Sequence, residues 1–275
     1  MKLKFIPLIK DLYNRYETHD VAALSAQMTY YLILSIFPFL IFIMTVISYT
    51  PLTSEDILMN VKPIFATNAF ETIEDFVNGV LESNNTTLLS FGMLGTIWSS
   101  SSGVMAIING FNKAYNTPEV RPFWKVRGIA MLYVLGLGTT ILLSFIMVVF
   151  GHTIGQQLFK LLQSPTNIET VWAWAKYLIP LCIMYMVFTF LFRRIPNHHI
   201  SFREALPGAT FSTLGWVITS ILFAYYVNNW GNYTKIYGSI GGIIVLLVWL
   251  YISSIITLIG GEINAAIAQM RKNQI

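Results

Sequence analysis

The sequence predicts an all-α polytopic membrane protein, with six transmembrane helices and further amphipathic helices at the N-terminus and in the outer loops. Of its 275 residues, 55% are hydrophobic and only 11% are charged, whereas soluble domains carry about 25% charged residues. The mean hydropathy is +0.61. The apolar runs are about 20 residues or longer, enough to cross the ~30 Å hydrocarbon core of a bilayer at ~1.5 Å per residue. We therefore expect residues 1–275 to form a single membrane domain.

The last apolar run indicates how the helices are expected to pack. From Ile240 to Ile259 it carries no charge, and Gly260 and Gly261 follow at its end. Small residues let a neighbouring helix approach closely, which is how helices associate in lipid. The other helices are expected to pack around this one. The six predicted spans lie at about 23–49, 88–111, 128–150, 172–192, 206–227 and 240–264.

Two stretches outside these spans have helical periodicity with one apolar side. In residues 3–18, Phe5, Leu8 and Leu12 fall on one side and Arg15 lies mostly opposite. This pattern is typical of a helix that lies in the membrane interface instead of crossing it. Residues 54–83 predict two more amphipathic helices, in an acidic loop on the outer side of the membrane.

The distribution of Lys and Arg predicts the orientation. With the N-terminus inside, thirteen basic residues fall on the inner side and four outside, so the positive-inside rule predicts a multi-pass protein with both termini in the cytoplasm. The net charge of +4 then predicts attraction to membrane lipids and requires no nucleic acid. The inner residues are Lys2, Lys4, Lys10, Arg15, Lys113, Arg121, Lys125, Arg127, Arg193, Arg194, Arg203, Arg271 and Lys272.

Polar side chains recur at helical spacing on three of the predicted spans. Lipid does not solvate such groups, so these faces are expected to look inward. Hydrogen bonding between helices would explain any one stripe, whereas three stripes together predict a polar cavity. The candidate lining residues are Gln27, Tyr31 and Ser35 on the first span, Ser102 and Asn109 on the second, and Ser253, Thr257 and Asn264 on the sixth.

Glu262 is the one acidic residue in or beside a predicted span. One interpretation is structural: the carboxylate pairs with a cytoplasmic cation such as Lys113 or Arg194. The other is functional: the carboxylate couples a proton or cation to transport. In either case the helix is expected to continue past Glu262. We expect a basic partner from loop 113–127, from loop 193–203 or from the N-terminal helix, because an unpaired carboxylate is costly there.

The residues argue against enzyme chemistry. The four histidines, His19, His152, His198 and His199, lack metal-ligand spacing, and the predicted topology separates His152 from the others. There is no P-loop string and no dinucleotide fingerprint. The sequence therefore predicts no catalytic residue, no metal and no cofactor.

Three stretches carry a resemblance to a known family. They are AALSAQMTYYLILSIFPFLIF at 22–42, GMLGTIWSSSSGVMAIINGFNKAY at 92–115, and YGSIGGIIVLLVWLYISSIITLIGGEINA from Tyr237 onward. Together they resemble the YihY/BrkB family of bacterial inner-membrane proteins. The resemblance implies a six-helix membrane bundle and a link to the cell envelope. The family was formerly labelled ribonuclease BN, and the residues above lead us to reject ribonuclease activity.

Two functional hypotheses follow. The first is a transporter or a lipid- or amphiphile-handling protein, supported by the polar stripes and the resemblance. The second is a non-transporting envelope scaffold, in which loop 54–83 or the N-terminal helix binds a partner and the stripes only hold helices together. The sequence leaves open whether the chain forms a homo-oligomer and whether it takes a small amphiphilic substrate.

Overall fold

A computed structural model describes residues 5–48, 86–136, 168–230 and 238–272, and all the regular structure within these ranges is helical. The predicted outer helices at 54–83 and most of the predicted span 128–150 lie outside the described residues. The helices are α1 (Phe5–Thr18), α2 (Val21–Ser48), α3 (Thr86–Ala114), α4 (described over 123–136), α5 (Ile168–Arg194), α6 (Phe202–Trp230) and α7 (Gly241–Lys272), the last preceded by a 3₁₀ turn at Gly238–Ile240.

The predicted all-α class is confirmed for the described residues, whereas six membrane crossings stay a prediction. Two of the described helices are long and apolar enough to cross a bilayer, Phe202–Asn229 and Gly241–Arg271. Much of the apolar surface of α6 is exposed, including Leu214, Ile218 and Leu222. Water would disfavour such a face, whereas lipid accommodates it.

The helix ends follow local sequence signals. Asn116 has a φ of 51° and ends α3, since asparagine tolerates the left-handed conformation. The N–H of Asn116 bonds to Lys113 O and the N–H of Thr117 bonds to Asn112 O, which is the Schellman arrangement. At the start of α6, Ser201 N and Oγ both donate to the carboxylate of Glu204, at 2.9 and 2.8 Å, as in a capping box.

The helices pack around the C-terminal half of α7. The most extensive contact joins α2 to α3, and α7 packs on α6, α2 and α3. The buried core includes Phe111, Phe192, Ile108 and Leu258, and the rings of Phe111 and Phe192 lie 5.1 Å apart. Helix α1 packs against α7 and α2, so the N-terminal helix and the C-terminal part of α7 lie at the same end of the bundle.

Glycines bring α7 very close to two neighbouring helices, as the sequence predicted for Gly260 and Gly261. A Cβ added at Gly260 would collide with Ser212 of α6, and one added at Gly261 would overlap the ring of Phe111 of α3. On the opposing helix, a Cβ at Gly208 would meet the carbonyl oxygen of Gly260. The close approach lets Ser212 Oγ donate to Ile256 O at 3.2 Å.

Candidate functional site

A buried cluster of ionisable side chains lies where α1, α3 and α7 meet. Glu262, in α7, is 3% exposed. One of its carboxylate oxygens lies 2.7 Å from Nδ1 of His19, and the other accepts a hydrogen bond from Nη1 of Arg15 at 3.4 Å. His19 lies in the turn between α1 and α2, which Asp20 closes with a φ of 55°. The side chain of His19, in this turn, and that of Arg15, near the end of α1, both contact Glu262 of α7.

Arg15 connects three helices through its guanidinium. It is 6% exposed, and its Nε donates to Asp11 Oδ2 at 2.8 Å within α1. Nη1 also donates to the carbonyl oxygen of Ala114 at the end of α3, at 3.1 Å. Nη2 donates to Oε1 of Gln269, two turns beyond Glu262 on α7. The charges and donors of Arg15 are therefore used within the protein, and α1 is held to the bundle.

The basic partner expected for Glu262 is confirmed, and it is Arg15 of the N-terminal helix. Lys113 instead pairs with Asp20 at 3.0 Å, and Arg194 is exposed. The sequence placed Arg15 on the polar side of α1, and in the structure Arg15 contacts α3 and α7. The choice between a structural and a coupling role for Glu262 stays a prediction.

Asn264 holds α7 to the backbone of α6. Its side chain is almost fully buried, its Oδ1 accepts a hydrogen bond from Gly208 N at 2.7 Å, and its Nδ2 donates to Ala205 O at 3.2 Å. These backbone groups flank Pro207, which lies inside α6 and has no N–H of its own to continue the helical bonds. The amide therefore adds two hydrogen bonds to the backbone of α6 on either side of the proline, and both its oxygen and its nitrogen have a partner.

The other candidate lining residues have different surroundings. On α2, Ser35 is buried, Tyr31 is partly buried and Gln27 is exposed. The close contact with α7 uses smaller residues than Gln27: Thr29 and Ser254 place their hydroxyl oxygens 3.3 Å apart. At this contact between α2 and α7, the helices are close enough for two hydroxyl side chains to meet. That Gln27 lines a cavity stays a prediction.

The remaining candidate residues, on α3 and α7, also differ in exposure and in hydrogen bonding. Asn109 is exposed, whereas the neighbouring Ile108 and Gly110 are buried on the packed side of α3, and its place in a cavity lining stays a prediction. Ser102 is partly buried and accepts a hydrogen bond from another helix. Thr257 is buried and donates to the carbonyl oxygen of Ser253 within α7, at 2.9 Å. Among the described residues, no hydrogen bond between helices joins one of the eight candidates to another.

The bond to Ser102 comes from Arg127, whose location the sequence did not predict. Arg127 was assigned to the basic cytoplasmic loop, but it lies within α4 and is 5% exposed. Nη1 donates to Ser102 Oγ at 2.9 Å and to the sulfur of Met105 at 3.1 Å, and Nη2 donates to Trp98 O at 2.8 Å. The guanidinium also lies 4.0 Å from the centre of the Trp98 ring, a cation–π distance.

The two basic loops are bound to each other. Asn112 Nδ2 donates to Glu119 Oε2 at 2.7 Å, and its Oδ1 accepts a hydrogen bond from Asn197 N at 2.7 Å. Arg121 donates to both oxygens of Glu119, at 2.7 and 2.6 Å, and to the carbonyl oxygen of Ile195 at 3.1 Å. The hydrogen bonds from Arg121 are the main reason that the pKa of Glu119 is lowered to about 2.

No group of three or more His, Cys, Asp or Glu side chains is placed to hold a metal ion in the part of the chain that the structure describes. His19 contacts Glu262, and His198 stacks on the ring of Tyr115 with the ring centres 5.7 Å apart. Among the described residues, no hydrogen bond joins either histidine to a hydroxyl or a thiol. No nucleophile and base pair is therefore seen in the part of the chain that the structure describes.

Helices long and apolar enough for a bilayer, close glycine contacts and buried polar bonds between helices define an α-helical membrane protein. The chain belongs to the virulence factor BrkB family, whose model matches residues 12–275. This confirms the family that the three sequence motifs indicated.

Two kinds of relative show the same membership. A ribonuclease-like protein named YfkH from Bacillus subtilis (strain 168) is 38% identical over 264 residues, covering 96% of each chain. A UPF0761 membrane protein from Xanthomonas campestris pv. campestris (strain B100) is 24% identical over 267 residues, covering 94% of this chain. This chain spans about 60% of the length of that relative. No solved structure matches.

Proposed function

We propose that the chain is a transporter or lipid-handling protein of the bacterial cytoplasmic membrane that acts on a lipid or a small amphiphile. The observation that supports this proposal is the buried cluster of Arg15, His19 and Glu262. Ionisable groups are costly among membrane helices, and where they occur they commonly mark pathways for substrates, ions or protons. Here a carboxylate and a histidine in direct contact lie at the end of an apolar helix.

The placement of α1 supports the orientation that goes with this function. Helix α1 and the C-terminal part of α7 are joined at one end of the bundle, and the bound loops that carry Arg121 and Asn197 adjoin the same end through Asn112 of α3. Basic side chains concentrate there, which favours a cytoplasmic location for that end and for both termini. An interfacial helix at this position would contact headgroups of the inner leaflet.

The experiment is a lipid-movement assay with the purified full chain. The protein is reconstituted into vesicles of phosphatidylglycerol and phosphatidylethanolamine that contain a fluorescent phospholipid, and a membrane-impermeant reductant then bleaches the outer leaflet. We expect the wild type to bleach more than the outer-leaflet fraction and Glu262→Gln to do so more slowly. Glu17→Gln, which removes an exposed carboxylate from the same region, is the matched control.

A wild-type signal equal to that of protein-free vesicles would contradict lipid movement. In that case a small amphiphile must show protein-dependent flux for the proposal to stand. A loss of flux in Glu17→Gln as large as that in Glu262→Gln would show that the cluster has no special role. Both variants must first elute as monodisperse protein, so that loss of folding is not read as loss of activity.

A scaffold role is the second candidate, and the outer face of α1 favours it. Ile9 and Tyr13 are exposed on a helix whose other side is held by Arg15. Such a face could contact headgroups or a partner protein. A stoichiometric protein partner that co-purifies with the wild type and is lost in Ile9→Ser, together with no flux of lipid, would favour the scaffold.

The name of the Bacillus relative raises ribonuclease activity as a further question. We propose no such activity for this chain. Arg15 and Arg121 are used in contacts within the protein, and no hydrolytic arrangement accompanies the exposed basic residues, such as Lys125 and Arg194, in the part of the chain that the structure describes. Ribonuclease activity of the purified protein that survives a nuclease-free preparation would contradict this view.

A further inference from the structure

Arg127 places a positive charge far from the end of α3. Its guanidinium contacts Trp98 O and Ser102 Oγ, and α3 has 29 residues, Thr86–Ala114. Ser102 comes twelve residues before Ala114, so it lies about 18 Å from the end of the helix at a rise of ~1.5 Å per residue. Arg127 itself lies in the second turn of α4, which is described from residue 123, so its charge lies between α3 and the start of α4 and not in the cytoplasmic loop.

Among the described residues, this charge has no counter-ion. The partners of Arg127 are a hydroxyl, a thioether, a carbonyl oxygen and an indole ring, all of which are neutral. Within the described ranges no carboxylate oxygen lies within 4.0 Å of it. Its Nε is buried and has no hydrogen-bond partner. A buried cation with a spare donor is unusual, because buried charges are generally paired.

The contrast with Arg15 shows that the bundle can neutralise an arginine. Arg15 is buried to the same degree and contacts the carboxylates of Asp11 and Glu262. Among the described residues, Arg127 contacts only neutral groups. Its positive charge can therefore attract an external anion, whereas the charge of Arg15 is already paired with carboxylates. This difference separates the Arg127 site from the cluster that supports the proposed function.

The surface beside Arg127 is apolar. Trp98, whose ring lies against the guanidinium, is 51% exposed, and Trp124, in the same helix as Arg127, is 75% exposed. Phe123 and Leu132, also in α4, are exposed as well. A charged group next to such a surface suits a ligand with an anionic head and an apolar body, since aromatic side chains favour the headgroup level of a bilayer.

We propose that Arg127 binds the phosphate group of an anionic phospholipid, with the lipid body lying along the exposed aromatic surface of α3 and α4. The planar guanidinium matches a phosphate through parallel N–H bonds, and its unbonded Nε–H supplies one of them. This inference rests on the proposed function and deepens it, because it names an anionic phospholipid as the ligand. The half-exposed side of Trp98 is where the headgroup enters.

A phosphate could come from a lipid or from a soluble ester, and the apolar surroundings favour the lipid. Binding is measured on the purified full chain in mild detergent by native mass spectrometry, with increasing phosphatidylglycerol as the probe. Diacylglycerol, which lacks the phosphate, tests the headgroup. Soluble glycerol phosphate tests the need for acyl chains. We expect saturable binding of phosphatidylglycerol, much weaker binding of diacylglycerol and no competition by glycerol phosphate.

Three variants assign this binding to the guanidinium. Arg127→Gln is expected to weaken phosphatidylglycerol binding about tenfold or more, as for the loss of charge-assisted hydrogen bonds. Arg127→Lys keeps the charge without the planar fork and is expected to bind with intermediate affinity. Lys125→Gln removes an exposed positive charge two residues earlier and is the matched control, expected to bind like the wild type. If Arg127→Gln does not fold, Arg127→Lys and the wild-type lipid comparison still decide the question.

Equal binding of phosphatidylglycerol by the wild type and Arg127→Gln would overturn the inference. An equal loss in Lys125→Gln would overturn it as well, because diffuse attraction to positive charge would then explain the binding. Effective competition by glycerol phosphate would overturn the assignment to a lipid. The readout is equilibrium binding, so the two proposals can fail separately. Phosphatidylglycerol binding that does not depend on Arg127, with lipid movement intact, rejects this inference alone. Binding that depends on Arg127, without movement of a lipid or amphiphile, rejects only the proposed function.

Discussion

Replacing Glu262 by glutamine tests whether the cluster at the end of α7 holds the bundle together. The amide has the shape of the carboxylate but carries no charge. The variant loses the charge-assisted contact with His19 at 2.7 Å and weakens the longer one with Arg15 at 3.4 Å. Charge-assisted hydrogen bonds contribute about 1.5–3 kcal/mol each, and breaking a buried pair costs about 3–5 kcal/mol.

The longer contact is the weaker of the two, and the amide oxygen can still accept from Arg15, so we expect Glu262→Gln to lower stability by about 2–3 kcal/mol. For a chain of this size that corresponds to a fall in Tm of roughly 5–10 °C. The assay is thermal unfolding of the purified protein in detergent, followed by the fluorescence of a thiol-reactive dye or by light scattering. Glu17→Gln, which changes an exposed carboxylate, is expected to leave Tm unchanged.

A double-mutant cycle makes this prediction sharper. If the contact between Glu262 and His19 stabilises the fold, His19→Gln and Glu262→Gln together should cost less than the sum of the two single changes, by about 1 kcal/mol or more. A Tm for Glu262→Gln within 1 °C of the wild type, which is about the precision of such a melt, would refute the structural reasoning. If a pH-dependent activity disappeared at the same time, Glu262 would be a coupling residue.

Three further predictions concern packing, hydrogen bonding and pH. Gly260→Ala should destabilise the protein by about 1–3 kcal/mol, because the added methyl group overpacks the contact with α6. Gly242 has open space around it, so Gly242→Ala should not destabilise the protein. The Tm of each variant in detergent is the measurement. Asn264→Ala should cost about 1–3 kcal/mol by leaving a buried backbone N–H unpaired, and exposed Asn109→Ala should cost nothing measurable in the same melt. The pKa of Glu119 is lowered to about 2 from its ordinary value of 4.5, so the carboxylate stabilises the fold above pH 4.5 and this contribution is lost as the pH falls toward 2. Glu119→Gln should therefore flatten the dependence of Tm on pH over that range. An unchanged slope in this variant would contradict the prediction.

The class of the fold and the close contacts of α7 could be predicted because they depend on local composition. A long run without charge predicts a helix, and adjacent glycines within it predict a close neighbour. The basic partner of Glu262 could also be predicted as a requirement, because a buried carboxylate needs one. Which of three segments supplies it depends on tertiary structure, and only the structure identifies Arg15.

The placement of individual polar side chains was predicted less well. The predicted stripe of α2 was Gln27, Tyr31 and Ser35. Ser35 is buried, but Gln27 is exposed, and Ser25 and Thr29, which the stripe left out, are buried. Both sets have helical spacing, so periodicity alone could not choose between them; side-chain size decides, because the close contact with α7 admits only small groups. Arginine positions mislead for another reason: the long side chain carries the charge of Arg127 away from its own backbone position.

The bonds from Arg15 to Glu262 and Gln269 join residues separated by 247 and 254 positions. The ribosome makes α1 long before it makes α7, so during synthesis the guanidinium can contact Asp11 and Ala114 O, but its two partners on α7 are added only with the last helix. Helix α1 can therefore dock on α7 only after the last helix has been inserted. A nascent chain arrested before Glu262 would leave α1 undocked on the membrane surface, open to proteases that the finished bundle resists.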